Sequence, residues 1–146
     1  TIQGKKSAEL LDVLYGSFYE TVEDLYKTDP ESEHYMIITV SDLKTDIPKL
    51  QSMLSKYNNR NFSGHKLQIK NLLLNKQTQV IKIINFKNSK EAEIYYESTF
   101  NDSGWINLYN QEGIDKMIIS KENFASLLKE KTTKDYKIYF QEKYLN

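Results

Sequence analysis

Only two histidines occur in this sequence, His34 and His65, and they are the side chains that titrate nearest neutrality. Before His34 stand Asp29, Glu31 and Glu33, oxygen donors that together with an imidazole could hold a divalent cation. That chemistry needs a second histidine or a rigid loop. The stretch Thr28-Asp29-Pro30-Glu31-Ser32-Glu33 supplies neither, so it reads as a solvated linker and no metal site is expected. His65 stands alone beside Gly64, which suits surface or hydrogen-bonded structure better than catalysis. A nucleophilic triad would need a serine near one of these imidazoles, and no G-x-S-x-G elbow is present. Phosphate-cradling loops fail for lack of glycine, and the absence of cysteine removes thiol catalysis, disulfides and zinc ribbons. No catalytic residue and no cofactor is therefore expected, and the chain reads as something other than an enzyme. Asn61-Phe62-Ser63 and Asn101-Asp102-Ser103 fit the glycosylation sequon, a pattern so short that chance matches are expected.

Binding is the remaining kind of chemistry, and composition narrows its partners. Twenty basic and twenty acidic residues cancel, and they are scattered, so no long-range field draws in nucleic acid or an anionic membrane. No apolar run approaches the ~20 residues of a membrane span, and the first residues lack a signal-peptide pattern. The abrupt start reads as a fragment cut from something longer. A chain of 146 residues is long enough for one domain with a core, plus appendages.

The elements follow from periodicity. Leu10, Leu11, Leu14, Phe18, Val22 and Leu25 recur at helical spacing from about Ala8 to Lys27, and Pro30 then breaks the pattern. Tyr35 to Val40, β-branched and aromatic, predicts a first strand. Asp46 or Thr45 can cap a helix that tolerates Pro48 near its start and buries Leu50, Met53, Leu54 and Tyr57. From Leu67 a strand, a turn at Asn75-Lys76-Gln77-Thr78 and a second strand to Phe86 form a hairpin. Leu67 and Ile69 are out of phase with Leu72 and Leu74, which predicts a bulge near Asn71. Asn88, with Glu91 three residues on, caps a helix through Ala92, Tyr95, Tyr96 and Phe100. Asn101 to Gly104 reads as a loop, Trp105 to Gly113 is ambiguous, and Lys116 to Ile119 is a short strand. Ser120 caps a helix with Phe124, Leu127 and Leu128; a last helix carries Tyr136, Tyr139, Phe140 and Tyr144.

The order β-α-β-β-α-β predicts a ferredoxin-like split β-α-β fold of the α+β class, a four-stranded antiparallel sheet with an N-terminal helix and two C-terminal helices added. Residues 1–32 are then an N-terminal helix and linker, and 33–146 the domain with its C-terminal helices. If Met36, Ile38, Val40, Ile81 and Ile83 face the two internal helices, the second sheet face carries Tyr35, Ile37, Val80, Lys82 and Ile84. That face is too apolar for water, so the terminal helices or a partner must cover it. Single-stranded RNA is disfavoured, since the third strand lacks the aromatic signature of RNA-binding sheets and the domain is not basic.

The runs His34-Tyr35-Met36-Ile37-Ile38-Thr39-Val40, Asp46-Ile47, Tyr57-Asn58, Asn61-Phe62, Leu72 to Phe86, Ala92 with Tyr95-Tyr96, Ile119-Ser120-Lys121-Glu122-Asn123-Phe124 and Tyr136 to Tyr144 resemble the C-terminal domain of Bacteroidota tetratricopeptide-repeat lipoproteins. That group includes envelope proteins of type IX secretion and gliding motility. The resemblance spans roughly residues 33–145 and implies a periplasm-facing, non-catalytic interaction or scaffolding module with a protein partner in the cell envelope, and Ala8 to Lys27 as a candidate last helix of a repeat array. Val80 to Ala92 also resembles the SPOR domain, which implies peptidoglycan glycan strands as the alternative ligand, held on the face of Tyr35, Ile37, Val80, Lys82 and Ile84.

Overall fold

Strand β1 (His34–Val40) is the element on which the sheet is built, since every one of its residues is buried. Such a run needs a neighbour on each edge and cover on each face. In the computed structural model, which describes residues 25–145, β1 pairs antiparallel with β3 (Gln79–Phe86) on one edge and with β4 (Ile114–Ser120) on the other. β2 (Gln68–Leu73) adds outside β3, giving the order β2-β3-β1-β4. This is the ferredoxin-like arrangement, with each parallel strand pair split by an antiparallel third.

Helix α1 (Ile47–Asn61) starts where Asp46 Oδ1 accepts the Lys49 amide at 3.1 Å. Helix α2 (Ser89–Ser98) starts in the same way, with Asn88 Oδ1 accepting from the Glu91 amide at 3.0 Å. The Glu91 carboxylate reaches back to the Lys87 amide at 2.9 Å, so both polar ends of the cap are used. Between α2 and β4 a 3₁₀ turn, Thr99–Asn101, leads to Asp102, whose carboxylate caps helix α3 (Ser103–Tyr109) by accepting the Trp105 amide. Sequence reading puts a loop at Asn101 to Gly104 and leaves Trp105 to Gly113 open. A helix this short, with only Trp105 and Leu108 buried, offers no periodicity to detect.

The hairpin differs from expectation in one respect. β2 and β3 pair without interruption from Gln68–Ile84 to Leu73–Gln79, so there is no bulge at Asn71. As an edge strand, β2 leaves Ile69 and Leu72 only partly buried on opposite faces, and the mismatch in phase is tolerated there. The irregularity lies in β3 instead. His34 pairs with Phe86 but Met36 with Ile83, so Ile84 and Asn85 together oppose Tyr35. Asn85 takes φ +91° there, and its side-chain amide donates to the Lys66 carbonyl at 2.8 Å. The extra residue turns Phe86 to the α2 side, where its ring lies 5.3 Å from Tyr95.

Helix α4 (Lys121–Glu130) lies on the opposite face. It begins at the Ser120 cap, whose Oγ accepts the Asn123 amide, and beyond its end the Lys131 carbonyl accepts from Asn75 in the hairpin turn at 2.9 Å. Phe124 meets the Tyr35 ring edge-on at 5.5 Å. Residues 29–132 form one compact unit. The described ends, 25–28 and 133–145, belong to a second unit. In that second unit Tyr26 packs edge-on to Tyr136 at 5.0 Å and lies 5.8 Å from Tyr139 of helix α5 (Lys134–Tyr144). The Thr28 hydroxyl and the Tyr139 phenol are 3.0 Å apart. Periodicity identifies an apolar stripe but cannot say against which element the stripe is buried. The N-terminal helix expected from Ala8 lies almost wholly outside the described residues.

Candidate functional site

The five residues expected to form a partner face do share one face, but unequally. Tyr35, Ile37 and Val80 are buried, whereas Lys82 and Ile84 are partly exposed. The Lys82 ammonium sits 4.7 Å from the Tyr35 ring centre and 4.8 Å from that of Phe124. Burial lowers the Lys82 pKa, and Lys70, directly opposite it on β2, lowers it further. Tyr35 thus has a perpendicular Phe124 ring beside it and the Lys82 ammonium over its face.

His34 is buried, its Nδ1 2.8 Å from the Ser32 carbonyl. His65 is exposed against the edge of Phe62. Among the described residues no group of three or more histidine or acidic side chains stands close enough to hold a metal ion. The cleft between α1, α3 and the loop after β1, about 330 Å³, is lined by Asp42, Lys44, Asp46 and Lys49 beside Met53 and Leu108. Its carboxylates are engaged locally, with Asp42 accepting the Lys44 amide and Asp46 serving as the α1 cap.

A more pronounced constellation lies on the α2–α3 side of the sheet. On β4, Lys116 stands opposite Ile38 of β1, in the same phase as Ile114 and Ile118, at a position where the pattern asks for an apolar residue. Its ammonium enters a box of four rings. Phe100 lies 3.8 Å away, Tyr109 4.2 Å, Tyr96 4.7 Å and Trp105 5.6 Å, each measured to the ring centre. The fifth contact is the Thr99 hydroxyl, which donates its own proton to the Tyr96 carbonyl and accepts from Lys116. Burial pushes the Lys116 pKa from 10.5 down to about 8.

Behind the box lies a buried aromatic layer in which the Trp105 and Tyr95 rings both meet Tyr57 nearly edge-on. The Tyr95 hydroxyl donates to Asn58 Oδ1, and burial raises its pKa far above the ordinary value. This layer braces the base of the box, whose outer wall is open: Phe100 is 46% exposed and touches Tyr96 and Tyr109 at 5.3 and 5.7 Å.

None of these box residues is among the candidates read from the sequence. The signal was a lysine in the apolar phase of β4 following Tyr96, Phe100, Trp105 and Tyr109, and its meaning rests on α3, which periodicity does not reveal.

The box has a consequence for pH. The folded chain gives up the Lys116 proton more readily than the unfolded chain, so charged Lys116 costs stability below about pH 8. That cost is relieved as the pH rises from about 8 toward 10.5. Lys82 acts in the same sense, while Tyr95 and Tyr96, raised from 10.0 by burial, act against folding at pH above that value. The wild-type urea midpoint is therefore expected to rise between roughly pH 7 and pH 9.5, and more steeply than that of Lys116→Met. Parallel profiles for the two proteins would show that Lys116 titrates as an ordinary lysine.

Comparisons of the chain with protein-family models, curated proteins and solved structures give no match.

Proposed function

We propose that this chain is a non-catalytic protein-interaction module that docks a partner on the aromatic surface of Tyr96, Phe100 and Tyr109 around Lys116. The observation that carries this reading is the exposure of Phe100, 46% of whose surface faces solvent although rings flank it. Large rings braced by a packed layer, with a cation among them, have the composition of interface hot spots. The resemblance to the C-terminal domains of tetratricopeptide-repeat lipoproteins supports a place at the periplasmic face of the cell envelope, in a scaffold of the secretion or gliding type. Peptidoglycan glycan recognition on the Tyr35–Lys82 face is the second reading. The enclosure of Tyr35 by Phe124 and Lys82 weighs toward the protein partner, because a stacked sugar needs a free ring face.

In the parent protein, Phe100→Asp is expected to reduce co-purification of the envelope partner by a factor of about thirty, the value of a typical hot spot, while leaving the melting transition nearly unchanged. Lys82→Asp, on the other face, is expected to leave the partner bound. The opposite pattern, loss with Lys82→Asp together with saturable binding of denuded glycan strands, would favour the glycan reading.

A further inference from the structure

We propose that the Lys116 box is a receptor for a carboxylate, so that the docked partner presents an acidic side chain to the Lys116 ammonium with an aromatic neighbour stacked on Phe100 and Tyr109. The inference rests on the docking surface described above and names the chemistry of what docks there.

The argument begins with what the ammonium lacks. Three N–H donors leave Lys116 Nζ, and the hydroxyl of Thr99 takes one. The remaining surroundings are ring faces, which attract the charge but accept no strong hydrogen bond. Among the described residues no carboxylate pairs with it, although elsewhere in the same unit Arg60 has Asp102 at 3.4 Å and Lys121 has Glu33 at 4.0 Å. A partly buried cation without a counter-ion is an incomplete arrangement, because desolvation has been incurred without the Coulombic return. Burial lowers the Lys116 pKa, consistent with a charge that has no opposite neighbour among the described residues.

Geometry then limits what can complete it. Lys116 is fixed by the β4 register against Ile38, and Thr99 holds the amine from one side. The open side runs past Phe100, the most exposed ring of the box. A ligand entering there meets ring surface before it reaches the amine. A bare anion would leave that surface wet, whereas a glutamate side chain flanked by an aromatic residue satisfies both.

The test uses the whole chain with lysine side chains labelled at Cε, titrated near neutral pH and low salt with the peptide acetyl-Trp-Glu-Trp-amide and its glutamine counterpart. The glutamate peptide is expected to shift the Lys116 Cε resonance saturably and to bind about tenfold tighter than the glutamine peptide. The advantage should shrink as salt is added, and the Lys116 amine should titrate at higher pH in the complex, since an opposite charge favours its protonated form. In Lys116→Met the two peptides should bind equally. Equal binding of both peptides to the wild-type chain would overturn the carboxylate preference while leaving an aromatic docking surface in place. Absence of saturable binding by either peptide, or shifts confined to Lys82 and Lys121, would also overturn the proposal. Because the peptide comparison needs no variant, the outcome does not depend on how Lys116→Met folds.

Discussion

Ile83→Asp is expected to unfold the sheet unit outright. Ile83 lies in β3 between Met36 of β1 and Ile69 of β2 and is fully buried. Removing the side chain forfeits about 1.5–3 kcal/mol of burial. An unpaired carboxylate in its place costs several kcal/mol more, or must take up a proton. Set against a typical domain stability of about 5–15 kcal/mol, the sum removes most or all of it. Lys82→Asp, one residue away but on the other face and partly exposed, is expected to be mild, because it also relieves the like-charge pairing with Lys70. Amide NMR dispersion and thermal melts of the two variants check the contrast, and a native-like melt for Ile83→Asp would contradict the strand phase.

Trp105→Ala is expected to have the second-largest effect, about 3–5 kcal/mol, because the indole is fully buried between Tyr57, Tyr95 and the Lys116 box. Trp105→Phe should cost far less. The indole Nε1 is buried without a hydrogen-bond partner among the described residues, so phenylalanine removes an unsatisfied donor along with some packing. Denaturant unfolding of the two variants separates the contributions. Equal losses would show that the indole nitrogen makes a contact that matters.

Much of the fold is legible in the residues alone. The caps at Asp46, Asn88 and Ser120 all form, because a cap is a contact between a side chain and an amide three residues away and is therefore written locally. The ferredoxin-like order followed from the alternation of elements, since right-handed connections leave few other ways to assemble β-α-β-β-α-β. The inward phase of Met36, Ile38, Ile81 and Ile83 was legible because a strand's period of two admits only two answers.

What local pattern could not decide were matters of one residue or of distant partnership. The bulge sits at Ile84–Asn85 rather than at Asn71 because it serves the docking of Phe86 on Tyr95, a contact between β3 and α2 that no strand period encodes. Tyr26 meets Tyr136 and Tyr139 across more than a hundred residues, a partnership no local pattern encodes. The Lys116 box is of the same kind. Its six members come from α2, the 3₁₀ turn, α3 and β4, and only packing of those elements on one sheet face makes them neighbours. Composition and spacing determined the sheet, its phase and its caps, since those are short-range or periodic properties of the chain. Tertiary packing alone decided which rings surround which charge, because that energy belongs to contacts between segments that the sequence keeps apart.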